Sequence, residues 1–369
     1  MFFSLEKIAN PKFPNQYLLK NGLVLNTDDG WQTMSNSQVT IVYKGYVNHR
    51  KLTDYLSEMH IQSMPAAKGN FCAFISDEKF VSVIHDTNRA FPLWLSDSTL
   101  TNLYEVDEQI WADCVLTINN TFVATRRWYT PYVQSEQELS DEQVINKIHN
   151  TLCETVEQFL THNTLPIKVF LSGGIDTTTA WAYIDYFTKN YELVDYQYVK
   201  YTTFYKRNSG RLKQFWGYNQ IHVWDTDCVL VTGSNGDENM LRGPNTLAMI
   251  LKYYGLTFAE ILKPSDYHYS YLIKKTIDID EEYATARNVF DYVLNKNIND
   301  HQHWHIDRTL TFTPFKDISL LETVLASNKE LIVKQARTAY INRQLIMKLD
   351  SNKLSKLSHQ KNYNMLENL

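Results

Sequence analysis

The stretch Ile167–Phe187, IKVFLSGGIDTTTAWAYIDYF, constrains this chain most. Ile167 to Leu171 is a short apolar run with β-branched and aromatic members, the pattern of a buried strand. Ser172, Gly173, Gly174, Ile175 and Asp176 follow, then Thr177, Thr178 and Thr179, and the series Trp181, Ile184, Tyr186, Phe187 continues as a helix. The chain turns from strand to helix over two glycines, which let the backbone take positive φ and approach a ligand closely. Unpaired N–H groups at the helix start, with the helix dipole behind them, make an anion nest suited to phosphate or pyrophosphate. The plain alternative is a ligand-free turn in which the threonines serve as ordinary helix caps. No Lys follows the glycines, so this is not a GxxxxGK[ST] phosphate loop.

The chain has 369 residues, a length that implies two domains, since single cores stop growing near ~250–300 residues. A 44% hydrophobic and 21% charged composition is ordinary for a soluble globular protein. The net charge of -5 gives no global basic footprint for nucleic acid. No run of ~18 apolar residues suggests a membrane span. The start, MFFSLEKIANPKF, lacks a signal-peptide apolar region. Cys72, Cys114, Cys153 and Cys228 are scattered without a CxxC pair, which reads as reduced thiols and a cytoplasmic location.

Residues 1 to about 135 read as an α+β region of mostly antiparallel strands. The expected strands are Tyr17–Leu25, Gln38–Tyr46, Asn70–Ser76, Phe80–Asp86, Leu93–Leu95 and Thr117–Thr125, with one helix at Arg50–His60. Trp128–Gln137 reads as a linker, and a second domain follows over 138–369. There, Ser140-Asp141-Glu142-Gln143 starts a helix carrying Val144, Ile145, Ile148, Leu152, Val156 and Phe159. Further expectations are a strand at Val194–Tyr201, a short helix at Arg211–Gly217, a strand at Gln220–Trp224, helices at Pro244–Leu262 and Asp280–Lys296, and one helix over Leu331–Leu349. The tail from Asn352 reads as polar and disordered. His301, His303 and His305 form HQHWH, read as a polar loop or strand rather than a metal site.

Cys228–Glu238, CVLVTGSNGDE, is the second functional stretch: an apolar strand runs into a Gly-rich turn bearing Asp237 and Glu238. A plain strand-to-loop turn has the same composition. The functional reading places a carboxylate at a strand's C-terminal end, beside the first turn, where open parallel sheets bind ligands. Asp176 and Asp237 would together supply oxygen ligands for Mg²⁺, with phosphates completing the shell.

Leu171-Ser-Gly-Gly-Ile-Asp-Thr177 resembles the pyrophosphate loop (SGGxDS) of the ATP pyrophosphatase, or PP-loop, group, with Thr177 in place of the last Ser. Other stretches resemble class B asparagine synthetases in the family's order. IVYKGYVNHRKL (41–52) is similar to their NGEIYNHREL. GNFCAFISDEKFVSVIHDTNRAFPLWL (69–95) is similar to GxFAFxxxD…RDxxGxxPLYY. Gly233 and Asp237-Glu238 match SGEGxDE, and Asp307-Arg308 with Pro314-Phe315…Asp317 match DRxSMxxSxExRxPFLD. The resemblance implies a two-domain α/β protein. Residues 1–135 would be an N-terminal-nucleophile (Ntn) hydrolase-like four-layer glutaminase domain, and residues 138–369 an adenine-nucleotide alpha hydrolase-like, parallel-sheet synthetase domain. It implies an AMP-forming ATP-dependent ligase that makes an amide through an acyl-adenylate. Leu171, Ser172, Gly173, Gly174, Asp176, Thr177 and Gly233 would hold ATP and pyrophosphate, Asp176 and Asp237 the Mg²⁺, and Glu238 would support the turn. Lys334 would steady the pyrophosphate as the third catalytic residue; a solvent-facing Lys on an amphipathic helix is the alternative. The partners implied are a small carboxylate and an amine, with homodimerisation left open.

The sequence departs from the family where chemistry is at stake. The glutaminase nucleophile is a Cys after the initiator Met, its own α-amino group serving as base; here that position is Phe2. Lys44 replaces the oxyanion-holding Asn and Tyr46 a Glu. The first domain thus reads as a glutaminase scaffold without activity, as in the β-lactam synthetases. Ser234 replaces a catalytic Glu, Thr311 a Glu and Thr313 an Arg. Those changes keep a nucleotide-binding regulatory protein open as a second class, and a tRNA-modifying PP-loop enzyme as a third. The expected outcome of a glutaminase assay on the purified protein is no glutamate release above a blank; measurable turnover would mean the nucleophile was misassigned.

Overall fold

The computed structural model describes residues 3–57, 68–85, 93–95, 98–101, 108–110, 114–121, 124–128, 138–194, 200–208, 211–219, 228–242, 251, 254–255, 257 and 310–357. Together they form a mixed α/β architecture with several sheets. The chain divides into two compact units: Met1–Pro131 with Tyr201–Tyr218 and Gln302–Leu310, and Tyr132–Lys200 with Asn219–His301 and Thr311–Leu369. No described helix is long and apolar enough to cross a membrane.

Unit 1 contains β1 (Phe3–Glu6), β2 (Asn15–Leu18), β3 (Val24–Thr27), β4 (Gln32–Ser35), β5 (Thr40–Val47), α1 (Leu52–Ser57), β6 (Gly69–Ser76), β7 (Phe80–His85), β8 (Leu93–Leu95), β9 (Thr99–Thr101), β10 (Glu108–Ile110), β11 (Cys114–Asn119) and β12 (Ala124–Trp128). They make two antiparallel sheets, ordered β10-β8-β9-β1-β3-β2 and β12-β11-β7-β6-β5-β4. Side chains alternate across a strand, so the two faces of β5 and β6 can be read separately. Val42, Cys72 and Phe74 meet Phe3, Leu5, Leu25 and Leu100 of the other sheet. Ile41, Tyr43, Phe71, Ala73 and Ile75 face the opposite way and pack with Leu52, Tyr55 and Leu56 of α1. Among the described residues the layers are therefore helix, sheet, sheet, against the four layers expected. The sheet that includes β6 is covered on both faces, which is why Phe71–Ile75 is apolar without interruption.

Two expected strands are hairpins. Tyr17–Leu25 breaks at Asn21-Gly22, where Leu19 N–H donates to Leu23 O (2.8 Å) and Gly22 takes φ 85°. Asn-Gly is the strongest short hairpin signal, because it accepts positive φ at low cost. Thr117–Thr125 likewise divides into β11 and β12. Lys44 pairs with Asp28 at 3.1 Å and also donates to Asp29 O. Residues 1–2, and with them Phe2, lie outside the described residues.

Unit 2 is built from α2 (Asp141–His162), β13 (Ile167–Phe170), α3 (Ile175–Phe187) and β14 (Glu192–Val194). The strands β15 (Lys200–Asn208) and β16 (Arg211–Asn219) come next and form a two-stranded sheet of their own. Unit 2 resumes with β17 (Val229–Val231), α4 (Gly236–Asn239), β18 (Leu310–Phe312), α5 (Ser319–Leu325), α6 (Lys329–Thr338) and α7 (Tyr340–Asp350). The central sheet is ordered β14-β13-β17-β18, with β13 parallel to both neighbours. Helix α2 starts with a full capping box: Ser140 Oγ accepts from Gln143 N–H and Gln143 Oε1 from Ser140 N–H. Its Val144, Ile148, Leu152, Val156 and Phe159 enter the core, and Phe159 stacks on Phe312 with ring centroids 3.8 Å apart.

Three expectations in the second half of the chain are corrected. Arg211–Gly217 is strand, not helix: Phe215, Trp216 and Tyr218 favour a pleated surface, and Ser209-Gly210 before it is a turn dipeptide. Leu331–Leu349 is two helices, broken at Ala339 with φ 52°. Gln335 Oε1 accepts from Ile341 N–H at 2.7 Å, so a buried side chain caps the second helix. The start of the tail is ordered, as a 3₁₀ turn over Ser351–Lys356, while residues 358–369 lie outside the described residues. The expected strand Gln220–Trp224, most of Pro244–Leu262, all of Asp280–Lys296 and the HQHWH segment lie outside the described residues.

The 3₁₀ turn is tied to α3 through charge. Lys353 Nζ reaches Asp185 Oδ2 at 2.6 Å and lies 4.6 Å from the Trp181 ring centroid. Tyr191 OH donates to Asp185 Oδ1 (2.6 Å) and accepts from Trp181 Nε1–H (2.8 Å). Burial alone would raise the Asp185 carboxyl, but hydrogen bonds from Lys189, Lys353 and Tyr191 outweigh it and hold it at about 2. A depressed folded-state pKa gives stability that is present above the unfolded value of roughly 4 and lost as pH falls through the folded value. Urea unfolding should show stability falling between about pH 4 and 2, and Asp185→Asn should flatten that window. An unchanged slope in the variant would contradict the network.

Candidate active site

Buried Ile167, Val169 and Phe170 hold β13 at the centre of the sheet, so the chain leaves it at a fixed point. Leu171 N–H donates to Val194 O (2.8 Å), Gly173 takes φ 80°, and Gly174 is the N-cap of α3. Among the described residues no side chain caps this helix start. The threonines turn inward instead: Thr178 Oγ1 donates to Gly174 O and Thr179 Oγ1 to Ile175 O, each at 2.8 Å. Thr177 Oγ1 donates to Gly174 O (3.0 Å) and lies 3.0 Å from Ser172 Oγ, which accepts from Gly174 N–H. The two hydroxyls brace the turn across its mouth.

The second stretch, Thr232–Arg242, lies directly on this first turn. A Cβ added at Gly233 would stand 2.5 Å from Thr177 N, and one at Gly236 2.6 Å from Asp176 Cγ. Only glycine permits that approach. Asn235 between them takes left-handed φ 65°, a conformation Asn tolerates better than most residues. Its side chain is buried, and neither amide atom has a hydrogen-bond partner among the described residues. Thr313 Oγ1 donates to Ser234 O (2.7 Å) and Asn239 Nδ2 to Phe315 O (2.5 Å), joining the turn to the chain that leaves β18. Glu238 is buried within α4.

Asp176 and Asp237 do come together, and the point on which they converge is Arg242 Nη2. That nitrogen lies 2.7 Å from Asp176 Oδ1, 2.5 Å from Asp176 Oδ2 and 2.7 Å from Asp237 Oδ1. The Arg242 side chain is 3% exposed. Asn342 Nδ2 adds a longer bond to Asp176 Oδ1 (3.3 Å), and Gln335 Nε2 donates to both Asn342 Oδ1 (2.9 Å) and Met240 O (3.2 Å). Burial pushes the Asp176 carboxyl above its usual range, with Arg242 opposing it and Asp237 adding to it. Burial and the charge of Arg242 both lower the Arg343 guanidinium. Carboxylate oxygens meet here as a metal would require, but their common point is taken by a guanidinium nitrogen, so the site as built does not fit Mg²⁺. Among the described residues no group of three or more His, Cys, Asp or Glu side chains is arranged to hold a metal.

Lys334 is not brought to this cluster. It pairs with Glu330 (3.3 Å), one turn away on α6, and with Asp141 (3.7 Å) at the start of α2. Leu171, Ser172, Gly173, Gly174, Asp176, Thr177, Gly233, Asp237 and Glu238 do lie in the two adjoining turns. Sequence reading passed over Arg242, Gln335 and Asn342. The available signal was polarity in apolar company: Arg242 follows Met240-Leu241, and Gln335 and Asn342 fall on the buried faces of their helices.

No family model matches this sequence, and no curated protein matches it. Among solved structures, the chain is similar to a glutamine phosphoribosylpyrophosphate amidotransferase from B. subtilis complexed with ADP and GMP. Identity is 10% over 59% of this chain and 63% of that one, with a TM-score of 0.22. A second structure, described as the allosteric regulatory enzyme of purine biosynthesis, is 10% identical over 64% of this chain and 65% of that one, also at 0.22. The chain thus spans just under two thirds of each. Likenesses this slight fix no fold for either unit.

The glycine contacts give a direct test. Gly233→Ala forces a Cβ against the Thr177 backbone and should cost roughly 1–3 kcal/mol in urea unfolding, as overpacking does. A cost near zero would mean the two turns do not touch.

Proposed function

We propose that the protein is an AMP-forming, ATP-dependent amide ligase of asparagine-synthetase-like type. Unit 2 would be its PP-loop synthetase domain, and unit 1 a glutaminase-like Ntn-type scaffold without activity. The observation that carries this reading is the α3 start: a Gly-Gly turn at the C-terminal end of a parallel strand, with no side chain among the described residues capping it. First-turn N–H groups and the helix dipole favour an anion there.

In this reading Gly173 N–H and the first-turn N–H groups of α3 face the pyrophosphate end of ATP, while Gly174 N–H bonds Ser172 Oγ and the Ser172 and Thr177 hydroxyls keep the turn in shape. Gly233 and Gly236 let the second turn close over the first. The substrate carboxylate attacks the α phosphorus, the bond to the β-phosphate oxygen breaks, and pyrophosphate leaves as the acyl-adenylate forms. An amine then attacks the acyl carbon and AMP departs. With Phe2 where the family has its nucleophile, the amine comes from ammonia, a second substrate or the same molecule. No step is assigned to a metal at Asp176 and Asp237, because Arg242 holds that point.

The Arg242 clamp also favours a second reading, a nucleotide-binding regulatory protein, since it ties down the carboxylates that catalysis would use. ATP–pyrophosphate exchange across a carboxylate library separates the two. The ligase reading expects exchange with at least one acid. Binding of ATP without exchange for any acid would return the protein to the regulatory class. A ligand that binds only the folded state must raise its melting temperature. If neither ATP nor pyrophosphate at millimolar concentration does so, the turn is structural and both readings fail.

A further inference from the structure

We infer that Arg242 is the resident cation of the Asp176–Asp237 pair, and that this pair takes no divalent metal in the folded protein. The inference rests on the ligase reading only for the polyphosphate that would share the site.

Geometry carries it. A single nitrogen, Nη2, lies within 2.7 Å of three carboxylate oxygens from two separate turns. That is the position a bridging cation would occupy, and it is filled from within the chain. The guanidinium is placed by its own backbone: Arg242 N–H donates to Asp237 O (2.6 Å), and Leu241 before it takes φ 55°. The side chain is 3% exposed, so it cannot leave for solvent without opening the turn. Asn342 approaches from α7 and Gln335 from α6, and Gln335 also bonds Met240 O, two residues before Arg242. Thus the arginine is held on its backbone side while its carboxylate partners are held on theirs.

Electrostatics make the exclusion strong. A divalent ion entering between the carboxylates would stand beside a fixed positive charge at close range in a partly dehydrated site. Repulsion there is severe at any effective dielectric suited to protein interiors. Removing the guanidinium reverses the situation and leaves the carboxylates without a counter-ion. Such groups recruit a cation or are destabilising.

The test is Mn²⁺ binding to the full-length protein with MnCl₂ as the only ligand, read from loss of the free-ion electron paramagnetic resonance signal. Wild type, Asp176→Asn and Asp237→Asn should titrate alike. Arg242→Gln should gain one site at least roughly a hundredfold tighter than anything in wild type, and Arg242→Gln with Asp176→Asn should lose it. One-to-one binding in wild type that either Asn variant abolishes would overturn the inference. So would a folded Arg242→Gln protein that gains no site. If Arg242→Gln does not fold, the wild-type and Asn titrations decide alone. Inorganic pyrophosphate in EDTA is a separate arm: a raised melting temperature supports the polyphosphate reading, and no shift with or without Mg²⁺ sinks that reading while the manganese result stands.

Discussion

The candidate site depends on the contact between two turns that only glycine allows. Gly233 and Gly236 place the second turn so close to Asp176 and Thr177 that no side chain fits between. This contact brings Asp237 beside Asp176 and pushes both carboxylates partly out of water. Carboxylates in that position need a partner, because an unpaired charge away from solvent is costly. Arg242 supplies it and is itself buried by doing so. Close packing, pairing and burial therefore form one unit: none of the three is affordable without the others.

Support spreads outward from that unit through uncharged polar groups. Asn342 links Asp176 to Gln335; Gln335 in turn caps the α7 helix at Ile341 and ties back to Met240. The left-handed Ala339 is the geometric consequence, since the chain must reverse there for residue 342 to reach α3. Such a network is stabilising only when every member is satisfied. The turn falls short of that: among the described residues both amide atoms of Asn235 and Oδ1 of Asn239 are buried without a hydrogen-bond partner, and the Asn235 backbone takes a conformation disfavoured for residues with a side chain. That cost is carried by the turn contact on either side.

Local chemistry was legible from sequence where one residue type has one main use. Ser140 with Gln143 announced the start of α2, and the apolar run at Ile167 with two glycines announced the strand, turn and helix that place the site. Asn21-Gly22 held an equally plain hairpin signal, overlooked because apolar residues on both sides read as one strand. Phe215 and Trp216 fit a helical or a pleated face, and the turn dipeptide before them decides the matter. What could not be read was any feature made by distance. Nothing near Ala339 in sequence marks a break, because its cause is a cap from Gln335 and a partner on another helix. Arg242 looked like an ordinary loop residue, since its two partners become neighbours only when the sheet forms. Residues 171–177 and 233–238 adjoin as their strand order requires, but the occupant of the point between their carboxylates is set by packing.

The central claim is that Arg242 and Asp176 act as one buried pair, and a double-mutant cycle measures this most directly. Urea unfolding of Arg242→Met, Asp176→Asn and the double variant gives the interaction energy independently of any ligand. The structure predicts coupling of roughly 2–3 kcal/mol, with the double variant less destabilised than the single costs added together. Additivity within about 0.5 kcal/mol would show that the two groups do not depend on each other, and would contradict the site as described.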